Sequence, residues 1–219
     1  MPDSGCFRTR IWQTVFKNFV CVLLLSVALL SGCQSTPEVR SEPDYLDELH
    51  GAVFDPPRVL SDFSLMSTTG EPFRLSEHRG EALLVYFGYR ACPDFCPTTF
   101  AELLRVYKAL GEPSDRLRVL FVTVDPERDT LENLRLYIES FHQDFIALRD
   151  DGEALKQLMA EFGVTAQRRQ LGESALSYLI DHTASVFLIG PDGRLQAQYL
   201  YGTDYRDIVH DLELILETV

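Results

Sequence analysis

Apolar residues fall along this chain in short dense blocks, each followed by a stretch of helical spacing. Residues 82–89 are apolar or aromatic at nearly every position, the pattern of a strand buried on both faces. Residues 97–110 follow with Phe100, Leu103, Leu104, Tyr107 and Leu110 on one helical face, so a strand feeds directly into a helix. The pattern repeats: 118–124 predicts a strand and 131–141 a helix, with Asp129 and Glu132 suited to an N-cap and N3 pair. A short strand at 145–148 and a helix at 153–162 come next. Residues 184–189 and 195–201 then flank Gly190-Pro191-Asp192-Gly193, a turn at hairpin spacing, before a last helix at 205–216. Upstream, 63–66 and 72–75 surround Thr69-Gly70 as a small hairpin. Alternating strands and helices ending in a hairpin and helix predict an α/β domain, with a central mixed β-sheet flanked by helices and an N-terminal β-hairpin.

The first 32 residues carry a different pattern. Arg8, Arg10 and Lys17 precede an uncharged apolar or small run from Phe19 to Gly32, the order of a secretory signal. A membrane-crossing helix needs about 20 apolar residues, more than this run supplies before the polar stretch from Gln34 to Asp44. Leu30-Ser31-Gly32-Cys33 resembles the lipobox of bacterial lipoprotein signals, which implies cleavage before Cys33 and lipid on its sulfur and new amino group. Two or more chains give stable anchoring. The domain is thus expected outside the cytoplasm, lipid-anchored to a bacterial membrane and facing the periplasm or cell exterior. Residues 1–32 read as a lipoprotein signal peptide. Residues 33–57, rich in Pro, Glu and Asp, read as the lipidated cysteine and a flexible tether, and 58–219 as the folded domain.

Twenty Lys and Arg against 33 Asp and Glu give a net charge of −13, which repels nucleic acid and anionic lipid and excludes a nucleic-acid binder. Cleavage removes three of those basic residues and one acidic one, leaving the mature chain more acidic still. Five cysteines cannot all pair within the chain. Cys6 and Cys21 leave with the signal and Cys33 carries lipid, so Cys92 and Cys96 are the two sulfurs free for chemistry.

Cys92-Pro93-Asp94-Phe95-Cys96-Pro97 lies where the long strand meets its helix, the end at which open α/β sheets place their sites. Unpaired N–H groups and the helix dipole favour thiolate there, the form that attacks disulfides and binds metals. Residues four apart on a helix hold their Cβ atoms roughly 5–6 Å apart. A disulfide wants about 3.5–4.5 Å, so closing the pair requires a departure from regular helix. A metal bound at about 2.3 Å from each sulfur accepts the wider separation, and both states stay open. Two cysteines rarely complete a metal site, and His182, in Asp181-His182-Thr183 before the 184–189 strand, can be delivered to the same end of the sheet. His50, His78, His142 and His210 read as surface or core residues. Two thiolates and one imidazole suit Cu(I) at low coordination, and Zn(II) if a fourth ligand is present. Asp125 is open between a turn residue and a group near the metal that tunes the thiolates or docks a partner; Asp129 reads as a helix cap.

The run Val85-Tyr86-Phe87-Gly88-Tyr89-Arg90-Ala91-Cys92-Pro93-Asp94-Phe95-Cys96-Pro97 closely resembles the signature of the Sco/SenC copper proteins. Val124-Asp125-Pro126-Glu127-Arg128-Asp129-Thr130 and Asp181-His182-Thr183, with Gly190-Pro191-Asp192-Gly193 after it, resemble two further blocks in the same order. The resemblance covers roughly residue 57 to the carboxyl terminus. It implies a thioredoxin-like fold with copper, as Cu(I) and also Cu(II), held by Cys92, Cys96 and His182. It also implies copper delivery to the dinuclear copper site of cytochrome c oxidase or to another periplasmic copper protein, or reduction of that site's cysteines. The departures are Arg90-Ala91, where a threonine and a variable residue are common, and Phe95 in place of a frequent valine. They fall on the pocket wall and the partner face, and on none of the implied ligands. Two functions stand side by side: a metallochaperone, and a thiol-disulfide oxidoreductase in which one cysteine attacks and the other resolves.

Overall fold

The computed structural model describes residues 44–217. The expected signal, Cys33 and the first part of the tether lie outside the described residues. No helix among the described residues is long and apolar enough to cross a membrane.

Among the described residues, ten strands and four α-helices follow in chain order. Strand β1 is Ala52–Val59, β2 Ser64–Ser67, β3 Pro72–Arg74 and β4 Ala82–Gly88. Helix α1 is Phe95–Leu110, β5 Leu117–Thr123, α2 Leu131–Glu139, β6 Ile146–Arg149 and α3 Glu153–Phe162. Then come β7 Ala166–Gln170, β8 Tyr178–His182, β9 Ser185–Ile189, β10 Arg194–Leu200 and α4 Tyr205–Glu217. Eight strands form one mixed sheet in the order β1-β10-β9-β4-β5-β6-β2-β3, while β7 and β8 pair apart from it. β4, β5 and β6 are parallel, and every other pairing in the sheet is antiparallel. This is the expected α/β architecture with a central mixed sheet flanked by helices. The expected small hairpin is β2–β3, at one edge.

β4 explains the layering. All seven of its residues are buried, and alternate side chains point to opposite faces. Leu84 and Tyr86 pack with Phe100, Leu103, Leu212 and Ile215 from α1 and α4. Leu83, Val85 and Phe87 pack with Leu155, Leu158 and Phe162 from α3. Burying a Leu or Phe side chain stabilises by roughly 1.5–3 kcal/mol, so both layers hold β4 where its last residue opens onto the site.

Three expectations change. The composition of 44–57 suggests a tether, yet Leu46 and Leu49 are buried in the core and β1 pairs with β10 from Ala52↔Gln198 to Val59↔Arg194. Apolar burial and a ladder partner outweigh the local charge. β1 carries an irregularity between Val53 and Arg58, where Pro56 and Pro57 lack the N–H a regular ladder needs. Asp129 is not the cap of α2: Thr130 accepts from the Asn133 N–H, while Asp129 is fully buried, accepting from the Thr123 hydroxyl and the Arg90 N–H. The hairpin β7–β8 comes from a stretch with no strand expectation.

Candidate metal centre

β4 ends at Gly88, and the chain turns through residues 89–94 before α1 begins. A Cβ on Gly88 would stand 2.8 Å from the Cys96 sulfur and 2.9 Å from the Phe121 ring, so only glycine lets the strand pass this close to the thiol. The Cys92 N–H donates to the Tyr89 carbonyl at 3.2 Å, folding the loop back, and Cys96 enters on the first turn of α1. The pair therefore straddles the helix start, the departure from regular helix that the spacing requires. Asp94 precedes α1 without a side-chain cap, which leaves backbone N–H groups of Asp94 and Cys96 to the Cys92 sulfur.

His182 arrives from the end of β8. One donor atom each from Cys92, Cys96 and His182 lie within 4.8 Å of one another, and His182 Nε2 is 3.7 Å from the Cys96 sulfur. His182 Nδ1 donates to the Thr183 carbonyl at 3.1 Å, which fixes the tautomer and aims the Nε2 lone pair at Cys96. Metal bonds of about 2.3 Å to sulfur and 2.0 Å to nitrogen, set at 120°, separate the two donors by roughly 3.7 Å. The observed spacing fits that with little movement.

The sulfurs differ. Hydrogen bonding from Cys96, aided by the two backbone N–H groups, pulls the Cys92 thiol down to about 3 against the opposing effect of burial. Its tie to the Cys92 sulfur, together with burial, holds the Cys96 thiol far above the ordinary range. Both cysteines are free, Cys96 with no exposed surface and Cys92 at 8%. The Tyr86 hydroxyl donates to the Cys96 sulfur at 3.6 Å, and burial drives that phenol well up. The rings of Tyr86 and Tyr89 stand edge-on to His182 at 6.1 and 5.8 Å. A cleft of about 400 Å³ opens over Cys92 and His182, lined also by Pro93, Phe95, Arg169 and Asp181.

Asp125 reaches none of the three directly by hydrogen bond among the described residues. It is buried and accepts from the Tyr178 hydroxyl at 2.7 Å and from Arg128 Nε at 2.5 Å. Arg128 also donates to the carbonyl of Tyr178 at 2.8 Å and stacks over its ring at 3.5 Å, and Arg168 stacks on the same ring at 3.9 Å. The Tyr89 hydroxyl accepts from the Ile180 N–H at 3.2 Å. The loop after β5 thus grips the start of β8, and four residues later that strand delivers His182. Tyr86, Tyr89, Arg128 and Tyr178 are functional neighbours that sequence reasoning missed. The first two and Arg128 lie inside the motif blocks already singled out, the only signal pointing to them. Tyr178 carries none, because its hydrogen-bond partners Asp125 and Arg128 lie 50 or more residues away.

The SCO1/SenC family model matches residues 53–217. A SCO2-like protein of Rickettsia prowazekii is 32% identical over 152 residues, covering 69% of this chain and 74% of that one. The apo Sco1 structure from Thermus thermophilus superposes with a TM-score of 0.67 at 36% identity, over 75% of this chain and 95% of that one. The copper-bound ScoI of Bradyrhizobium japonicum gives 0.63 at 28% identity, over 75% and 98%. With the thioredoxin-like architecture and the motif blocks in place, these matches establish that the chain belongs to the SCO1/SenC family.

Proposed function

We propose that the chain is an extracytoplasmic copper metallochaperone that holds copper through Cys92, Cys96 and His182 and delivers it to the dinuclear copper site of cytochrome c oxidase. The observation that carries this reading is the convergence of two sulfurs and an oriented imidazole nitrogen within 4.8 Å at the mouth of a cleft. Support comes from the copper-bound relative of Bradyrhizobium japonicum and from the match of soft donors to Cu(I). Copper is cargo here. Cys92, already a thiolate, binds without releasing a proton, whereas Cys96 gives one up on ligation. Cys92 and His182 line the open cleft, so ligand exchange with an incoming cysteine begins on that side, while the buried Cys96 releases last. Lipid on Cys33 would hold the protein at the outer face of its membrane, within reach of a membrane-bound oxidase.

The asymmetry of the two sulfurs favours a second activity at the same site. Cys92 thiolate attacks a partner disulfide, forming a mixed disulfide and freeing one partner thiolate. Cys96 then loses its proton and attacks the Cys92 sulfur, freeing the second. The partner gains two electrons and the chain ends as the Cys92–Cys96 disulfide.

His182→Ala separates the two. Copper titration of the reduced variant should show affinity lower by on the order of 100-fold, while its disulfide still forms and reduction of a disulfide peptide persists. Equal copper binding by variant and parent would sink the three-ligand reading. Failure of the parent to reduce the peptide at a physiological poise would remove the second activity.

A further inference from the structure

We propose that Tyr86 is a positioning residue for the metal: through a hydrogen bond to the Cys96 sulfur it sets the preference of the centre for Cu(I) over Cu(II). The inference rests on the reading that Cys92, Cys96 and His182 hold copper. Tyr86 lies near the end of β4 with its side chain packed toward α1, and its hydroxyl donates to Cys96 Sγ at 3.6 Å. The ring is wedged in place. It stands edge-on to Phe100 at 5.8 Å and stacks against Phe121 at 6.3 Å, and a Cβ on Gly88 would lie 3.0 Å from its Cε1. Neither Tyr86 nor Cys96 has exposed surface, so water does not compete for the bond, and the low local dielectric strengthens it.

Hydrogen bonding around a ligating sulfur is a lever on the potential of a copper centre, because the donor draws electron density off the thiolate. The two states differ by one electron on the metal. Cu(II) relies more than Cu(I) on donation from sulfur, so the bond from Tyr86 weakens the oxidised state more than the reduced one. Backbone N–H groups of Asp94 and Cys96 face the Cys92 sulfur and that of Tyr89 faces Cys96; these come with the turn at the head of α1, whatever side chains it carries. The Tyr86 hydroxyl is a side-chain donor, and its removal leaves that turn in place. Tyr137 supplies a comparison within the same core. Its ring packs on Phe100 at 6.0 Å and on Phe121 at 5.9 Å, while its buried hydroxyl has no hydrogen-bond partner among the described residues.

The test uses the full, reduced chain with Cys6, Cys21 and Cys33 changed to serine, so that no other sulfur competes, and measures Cu(I) and Cu(II) affinities separately by chelator competition. Tyr86→Phe should lower the ratio of the Cu(II) to the Cu(I) dissociation constant roughly tenfold, equal to about 59 mV for one electron, while Tyr137→Phe leaves it unchanged. The sulfur-to-Cu(II) charge-transfer band of Tyr86→Phe should move to lower energy, since a thiolate without its donor gives up an electron more readily. Incorporation of 3-fluorotyrosine at position 86, a stronger donor of nearly the same shape, should move ratio and band the opposite way, and it decides the matter should the phenylalanine variant fold poorly. Absence of copper binding by the parent would overturn the three-ligand reading and this inference with it. Copper binding by the parent with no shift on either substitution at position 86, or with an equal shift in Tyr137→Phe, would overturn this inference alone.

Discussion

Cys92 and Cys96 share a motif yet occupy different chemical environments. The first sits on the cleft with backbone N–H groups directed at its sulfur; the second is sealed beneath the Tyr86 hydroxyl. Iodoacetamide at about pH 5 should therefore alkylate the reduced chain at Cys92 alone, because only thiolate reacts and the Cys96 thiol is held protonated. Mass spectrometry of the digest checks this, and equal labelling of both sulfurs would contradict the asymmetry. The same depression makes Cys92 a pH-dependent contributor to stability. A folded thiolate with a lowered pKa stabilises fully above the ordinary thiol range, and that contribution drains away as pH falls toward about 3. Asp129 works in the opposite sense. Burial raises its pKa, with the Thr123 and Arg90 hydrogen bonds opposing, so the folded state keeps the proton longer and stability declines as pH rises through the carboxylate range.

Among the elements, the hairpin β7–β8 decides whether His182 reaches the cysteines. It stands outside the main sheet and is tied to it through Asp125, Arg128 and Tyr178. Asp125→Ala leaves the nearly buried Arg128 guanidinium without its carboxylate, an arrangement that costs about 3–5 kcal/mol. The denaturant midpoint should fall accordingly and copper affinity should drop with it, as His182 loses its fixed approach. An unchanged midpoint would refute this account of Asp125.

β4, α1, β5, α3 and the β9–β10 hairpin follow from the sequence nearly residue for residue, because each has a buried face and hence a clean hydrophobic period. β7 has none: Ala166-Gln167-Arg168-Arg169-Gln170 is exposed from its second residue onward, so nothing in its pattern marks a strand. β1 hides for another reason, since Asp55-Pro56-Pro57 reads locally as a linker and only its pairing with β10 makes it a strand. The three residues of the candidate centre were recognisable from motif and spacing. The clamp that orients His182 was not, because it joins side chains from β8 to a loop whose charged residues read equally well as a turn.

Across the molecule, the segment before the first motif belongs to the fold. A chain beginning at Asp44 retains Leu46, Leu49 and β1, whereas one beginning at Arg58 loses all but the end of that strand. Each buried leucine lost costs about 2–5 kcal/mol, so the shorter chain should melt well below the longer one in thermal denaturation. Equal melting temperatures would mean that the amino-terminal strand adds nothing to the core. The position of β1 has a further result. The sheet is open, with β1 at one margin and β3 at the other, and an open margin offers unpaired N–H and C=O groups to any passing strand. Each margin strand carries proline, Pro56 and Pro57 in β1 and Pro72 in β3, and the register of β1 also shifts between Val53 and Arg58. Proline offers no donor and the shifted register breaks the regular ladder of the edge, so neither margin is a ready template for a second chain. The same prolines that disguise β1 as a linker thereby guard the sheet against edge-to-edge aggregation.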